Sequence, residues 1–443
     1  MSHRFEGEIL DLPSDKSISH RSALIAALAK GTTHIERFST GLDNQTTLTV
    51  LQELGLTIRE YRNLSSPEEP YSIEIHSEGL WSFKQPKKYL QCNNSGSTIR
   101  MLAGILSAQP FCTTLVGDAS LMKRPMKRIQ GPLMQMGAQI SLSPNGTAPV
   151  QVCGTKNLIP SEFNLPIASA QVKSAIIFAA LHAEGETRIQ EPLQTRNHTE
   201  LMLGLIQNQI NQNDQNDSPI EPPIISIQGP FQIEAKPFKI PADPSAACFL
   251  VALGLLATQA HIAIRNVCLN QTRTGFLKVV KRGGANLTFE NKRIESGEQV
   301  GDIIISNQKI ASPLRLEDPT EVANVIDEIP MLSVLSAFST GSFFVTNAKE
   351  LRAKECDRIS ALVQNLQAMG FICNEWPEGF EVIKRDREPK TSVAINTFHD
   401  HRIAMAFEII KVAKSELIDL SETASIPVSF PNFFNVIKKL KVA

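Results

Sequence analysis

One kind of segment recurs six times along the chain, and it constrains the fold more than any other feature. A cluster of Ser, Asn, Asp or Ala leads into a run of small and apolar residues. The six copies are SDKSISHRSALIAALA from Ser14, NNSGSTIRMLAGILSA from Asn93, ASAQVKSAIIFAALHA from Ala168, ADPSAACFLVALGLLA from Ala242, IDEIPMLSVLSAFSTG from Ile326 and HDHRIAMAFEIIKVA from His399. They recur at intervals of about 70–85 residues, and a sustained period marks a repeated structural unit. Ser, Asn and Asp accept the orphan amide bonds of a helix start. The run behind each cluster is apolar nearly all round, which is the pattern of a helix buried inside a domain. Several copies are followed by an amphipathic stretch, as in TTLTVLQELGLTI, MKRIQGPLMQMGAQI and ISALVQNLQAMGFIC, each with a Gly where a left-handed cap residue fits. Each unit therefore reads as helix, strand, helix, strand with β-rich stretches between, and six units make two domains of three.

The length, 443 residues, agrees with two or three domains. Prolines and polar residues mark two places to cross between them, Asp11-Leu12-Pro13-Ser14 and Lys236 to Pro241. The expected division is residues 14–237 as one domain and residues 1–13 with 238–443 as the other. The Asn/Gln/Pro-rich segment from Gln207 to Pro223 reads as a loop. Apolar residues make up 42% and charged residues 20%, the composition of a globular chain with sizeable cores. No run approaches the roughly 18 apolar residues of a membrane span, and Met1 to Leu10 has no apolar signal core. The seven cysteines are scattered and form no CxxC pair, so neither a disulfide framework nor a zinc site is expected, and a reducing cytoplasm is the natural compartment. Net charge is −1, which gives no global field for nucleic acid or an anionic membrane; an anion site has to be built locally.

The starts of the buried helices carry such a device. Lys16 and Arg21 flank the first, Arg100 lies in the second and Lys173 in the third. Lys354 and Arg358 open the helix after the fifth, Arg402 opens the sixth, and Arg124 precedes an amphipathic helix. Cations are unfavourable at a helix N-terminus, which is already partly positive. Repeated in a nearly neutral chain, they point to bound anions, since free amides, dipole and cation together make a phosphate or carboxylate site. Asp327-Glu328 and Lys354-Glu355-Cys356-Asp357-Arg358 add carboxylates close to cations, either as acid/base groups or as a helix cap and local charge pairs. His401 is either a proton carrier or a packed helix-start residue. No GxxxxGK[ST], GxGxxG, GxSxG or HExxH motif is present. These residues describe an enzyme or binder for small, multiply anionic ligands.

The strings Lys16-Ser17-Ile18-Ser19-His20-Arg21, Asn94-Ser95-Gly96-Ser97-Thr98-Ile99-Arg100, Lys123-Arg124-Pro125, Ser169-Ala170-Gln171-Val172-Lys173-Ser174, Lys354-Glu355-Cys356-Asp357-Arg358 and Asp400-His401-Arg402 together resemble the 5-enolpyruvylshikimate-3-phosphate synthase family, in its order and spacing. The resemblance covers nearly the whole chain. It implies an α/β (α+β) fold, a two-domain inside-out α/β barrel with three βαβαββ units per domain around buried helices. The first residues would pair with the C-terminal domain, and the domains would close on the substrates. It implies transfer of the enolpyruvyl group of phosphoenolpyruvate to the 5-hydroxyl of shikimate 3-phosphate, by a cytoplasmic monomer with no cofactor and no metal.

Carried over position by position, the resemblance assigns shikimate 3-phosphate to Lys16, Ser17, Arg21, Ser169, Ala170, Gln171, Thr195, Arg196, Asp327 and Lys354. It assigns phosphoenolpyruvate to Lys16, Asn94, Gly96, Arg124, Gln171, Arg358, His401 and Arg402. Asp327, Glu355, Lys16 and Lys354 are the catalytic set, with Asp327 on the 5-hydroxyl proton and Glu355, assisted by Lys354, on protonation at C3. The chain departs from many members at Val428, where a lysine is common, and at Glu350, where an asparagine is common. The related family acting on UDP-N-acetylglucosamine carries a Cys five residues before its Arg-Pro; here that position is Ala119.

Overall fold

The computed structural model describes residues 4–207, 222–306 and 309–442. The expected loop from Gln207 to Pro223 therefore lies, apart from its ends, outside the described residues. All six recurring segments are helices: Lys16–Leu28, Gly96–Leu106, Ala170–Ala180, Pro244–Leu256, Ile329–Thr340 and His401–Lys414. Five start on a side-chain cap. Asp15 accepts from the amide of Ile18, Ser95 from Thr98, Ser169 from Val172, Asp243 from Ser245, and Asp400 from Arg402 and Ile403. The fifth has Glu328 at its cap position with no capping bond, because that carboxylate is engaged elsewhere. Every residue of Pro244–Leu256 is buried, as its unbroken apolar sequence requires.

The chain forms two compact units. The N-terminal unit is Ser14–Ile240 together with Ile294–Glu298, and the C-terminal unit is Met1–Pro13, Pro241–Arg293 and Gln299–Ala443, each in its described residues. Each unit holds three sheets. The repeated plan is clearest in the second sheet of each. In the N-terminal unit Leu90–Gln91 leads into the second core helix and pairs in parallel with Cys112–Val116, and the strands Gln139–Ser141 and Val150–Cys153 add on antiparallel. In the C-terminal unit Leu314–Leu316, the fifth core helix, Phe343–Val345 and the hairpin Phe371–Trp376/Gly379–Arg385 repeat it. A parallel pair needs a crossover between its strands, and the core helix supplies it. The mixed α/β class is thus as the resemblance implied.

The first sheet of each unit exchanges a strand. Arg4–Ile9 precedes the first core helix in sequence, yet it pairs in parallel with Gln259–Cys268 of the C-terminal unit. Phe238–Lys239 precedes the fourth core helix, yet it pairs in parallel with Lys30–Phe38 of the N-terminal unit. Helix packing within the N-terminal unit is tight: a Cβ added to Gly104, in the second core helix, would stand 2.1 Å from the carbonyl oxygen of Ala175 in the third. Among the described residues no single helix is long and apolar enough to cross a membrane.

One expectation is overturned here. Cys112 and Cys153 lie opposite each other on antiparallel strands and form a disulfide. Strand register brings together two residues 41 apart in sequence, a pairing that no local cysteine spacing announces. Among the described residues Cys92, Cys248, Cys268, Cys356 and Cys373 form no disulfide.

Candidate active site

The N-terminal unit gathers its candidate side chains where its three core helices begin. Asp15 fixes the start of the first helix, which places Lys16 beside the carboxylate of Asp43 in an ion pair. Burial would raise the pKa of Asp43, but the charge and hydrogen bond of Lys16 outweigh it and hold the group below the usual carboxylate range, with Arg124 contributing. Arg21, one turn on, is buried. Its Nη1 donates to the carbonyl of Ser17 (3.0 Å), its Nε to Thr199 Oγ1 (2.8 Å) and its Nη2 to Ser174 Oγ (3.0 Å). All three acceptors are neutral, and no carboxylate pairs with Arg21 among the described residues. Burial lowers its pKa to about 10, partly offset by the more distant charge of Glu200. Arg196 Nη1 lies 3.5 Å from Ser17 Oγ, so Ser17, Arg21 and Arg196 share one corner.

The second and third helices meet at Gln171. Its Oε1 accepts from Arg100 Nη1 at 2.6 Å and its Nε2 donates to Ser97 Oγ at 3.0 Å. Arg124 donates through Nη2 to Asn94 Oδ1 at 2.6 Å. A Cβ at Gly96 would lie 2.9 Å from Arg100 Nη1 and 3.4 Å from Arg124 Nη1, so the missing side chain lets two guanidinium groups come close to the backbone here. Ser169 serves as the cap of the third helix and Ala170 is its first residue. Lys173 corrects the sequence reading: it is buried against Glu191 (2.6 Å) and Glu200 (2.8 Å) and is not an open cation. Thr195 donates both its amide (2.9 Å) and its hydroxyl (2.6 Å) to Glu191. Asp43 and Glu191 were not found from sequence, because each acquires its role from a cation far along the chain.

The C-terminal unit gathers the second set. Asp327 does not cap a helix. Its Oδ1 lies 3.2 Å from Lys354 Nζ and 3.6 Å from Arg358 Nη1, and its carbonyl accepts from Arg402 Nη1 at 2.8 Å. Arg358, 1% exposed, donates through Nε to Asp400 (2.7 Å) and through Nη2 to Glu355 (2.7 Å), while its buried Nη1 makes no hydrogen bond. Burial disfavours that cation, but Asp400 and Glu355 more than compensate and raise its pKa. Glu355 is likewise opposed by burial, and the charges of Arg358 and His401 pull its pKa down to about 2. Burial, reinforced by the Arg402 charge, lowers His401 to about 4, so the imidazole is neutral at pH 7.

Arg402 also lies 3.6 Å from Glu328, and the two residues begin a polar chain that the sequence did not disclose. Glu328 accepts from Ser245 Oγ, Ser245 accepts from Arg273 Nη2 (3.0 Å), and Arg273 pairs with Asp243 at 2.9 Å. Asp243 caps the fourth core helix, so this chain ties the Arg402 corner to the start of a buried element.

Capped helix starts that present guanidinium groups in one unit, and carboxylates set among cations in the other, define a mixed α/β protein each of whose units offers cations to small anions. Over residues 1–437 the sequence matches the family model of EPSP synthase (3-phosphoshikimate 1-carboxyvinyltransferase). It is 55% identical over 437 residues to the 3-phosphoshikimate 1-carboxyvinyltransferase of Chlorobium chlorochromatii, covering 98% of each chain. It is also 55% identical over 438 residues to that of Chloroherpeton thalassium, covering 99% of each. Among solved structures, an EPSP synthase from Acinetobacter baumannii superposes with a TM-score of 0.83 at 36% identity, over 100% of this chain and 97% of that one. The chain belongs to the EPSP synthase family.

Proposed function

We propose that the chain performs its family's reaction, moving the enolpyruvyl group of phosphoenolpyruvate to the 5-hydroxyl of shikimate 3-phosphate and releasing phosphate. The supporting observation is Arg21, a buried guanidinium whose partners are all neutral oxygens. A buried cation without a counter-charge is costly, and an arriving phosphate removes that cost. Lys16, Ser17, Arg21, Ser169, Ala170, Gln171, Thr195 and Arg196 take shikimate 3-phosphate in this reading, with Asp327 and Lys354 at its reacting end. Asn94, Gly96, Arg124, Gln171, Arg358, His401 and Arg402 take phosphoenolpyruvate, and Lys16 reaches both. The buried Nη1 of Arg358, which lacks a hydrogen bond, suits a carboxylate or phosphate oxygen.

In the addition step the 5-hydroxyl oxygen bonds to C2 of phosphoenolpyruvate as its proton passes to Asp327. C3 takes a proton from Glu355, and a tetrahedral adduct forms. In the elimination step C3 returns a proton to Glu355, the C2–O bond to phosphate breaks, and phosphate leaves with the electron pair and takes up the proton held by Asp327. Glu355 is ionised in the free protein, with its pKa near 2. A substrate anion beside Arg358 draws on the charge that holds it there and raises it toward the acid form needed at C3. Fixed guanidinium groups screen the repulsion between the two substrates' charges without reorganising during the reaction. The two units correspond in this reading to the two domains of the family, and the protein acts as a cytoplasmic monomer. The test is phosphate release on mixing the protein with both substrates; no release from the pair, with shikimate 3-phosphate still bound, refutes the catalytic reading.

A further inference from the structure

We propose that Lys173 is a positioning residue for the phosphate-binding corner of Thr195 and Arg196, acting through Glu191. This rests on the functional reading above and assigns a role to a cation which that reading leaves unused. Lys173 is 2% exposed, so its ammonium cannot reach a substrate in water. It stands 2.6 Å from Glu191 Oε1 and 2.8 Å from Glu200 Oε1. Glu191 immediately follows the strand Gly185–Gln190, and Glu200 lies in the helix His198–Leu203, so one ammonium holds both ends of the loop 192–197.

Glu191 passes this constraint to the loop itself. It accepts both donors of Thr195, the amide at 2.9 Å and the hydroxyl at 2.6 Å. Held at both its hydrogens, Thr195 also sets the direction of the next residue. Arg196, that next residue, projects to the Ser17 hydroxyl beside Arg21. The neighbouring Ser174 bonds Thr199 at 2.7 Å, and both hydroxyls receive the Arg21 guanidinium. Adjacent residues of one core helix therefore dock the loop and aim Arg21. Without Lys173 two buried carboxylates lose their common counter-charge, the Glu191–Thr195 bonds loosen, and Arg196 drifts from its position.

The test compares Glu191→Gln and Lys173→Met with the wild-type chain. Misplacement by about 1 Å can cost about 100-fold. Glu191→Gln is thus expected to raise the KM for shikimate 3-phosphate about tenfold or more, with kcat and the KM for phosphoenolpyruvate within about twofold. Binding of shikimate, which lacks the phosphate, should be unchanged, a pattern that general loosening does not produce. Lys173→Met should show the same split; if it does not fold, Glu191→Gln decides alone. An unchanged KM for shikimate 3-phosphate, or an equal loss for shikimate and phosphoenolpyruvate, overturns the proposal. A wild type inert toward both substrates overturns the functional reading and this one with it, whereas an active wild type with an unaltered Glu191→Gln sinks this one only.

Discussion

Arg21 and Lys173 both lie in buried helices of the N-terminal unit, and their neighbours give them opposite uses. Neutral oxygens surround Arg21 and leave its charge without a carboxylate among the described residues, while two carboxylates consume the charge of Lys173. Sequence marks both as cations near helix starts and cannot tell them apart, because Glu191 and Glu200 are 18 and 27 residues from Lys173 in the chain. Arg124 belongs with Arg21: among the described residues its side chain makes one hydrogen bond, to Asn94, and forms no ion pair. Arg124→Ala should therefore lower kcat/KM by about 30- to 1000-fold, the effect of losing one preorganised donor worth about 2–4 kcal/mol. Steady-state kinetics with both substrates checks this, and kinetics close to wild type would show that Arg124 is misassigned. The titration of the site is equally invisible in sequence, since the pKa of Glu355 near 2 needs Arg358 and His401 folded against it.

At the scale of elements the sequence was far more legible. Each core helix begins within a few residues of its polar cluster, because capping chemistry is local and the apolar run leaves the chain no other way to bury its backbone. The fifth start was the least readable. Asp327-Glu328 looks like a cap, yet both carboxylates pair with cations, so ion pairing displaced local helix capping there. Strand partners were less legible than helices, since the Cys112–Cys153 pairing is a matter of register. Close helix packing gives the element-scale prediction. Gly104→Ala drives a methyl into the backbone of the third core helix at Ala175, and overpacking of this kind costs about 1–3 kcal/mol. Urea unfolding should show a lower midpoint; an unchanged midpoint means that the two helices separate at little cost.

Across the whole molecule, buried histidines make stability depend on pH. Burial lowers His20 to about 3, and burial with the Arg402 charge lowers His401 to about 4. Both folded values lie below 6.5, so the unfolded chain takes up protons first as pH falls. The associated stability is complete above pH 6.5 and is lost as pH falls through the window toward pH 3–4, at about 1.4 kcal/mol per pH unit for each histidine. Denaturant midpoints at about pH 7.5 and about pH 5.5, on either side of the unfolded value, check this: both units should weaken. His20→Gln should flatten the response of the N-terminal unit alone, and a response unaltered by that change would exclude His20 as its source.

The exchanged strands bear on how this chain is made and divided. Nothing synthesised before Phe238 can complete the first sheet of the N-terminal unit, and the earliest described strand, Arg4–Ile9, must wait until Gln259–Cys268 has left the ribosome. A gene split between Ile240 and Pro241 would strip residues 241–443 of that opening strand and bare the flank of Gln259–Cys268, which invites edge-to-edge aggregation. Moving the codons of residues 1–13 to the front of the second fragment would restore the missing neighbour, while the first fragment would still lack Ile294–Glu298, which the second half lends to the N-terminal unit.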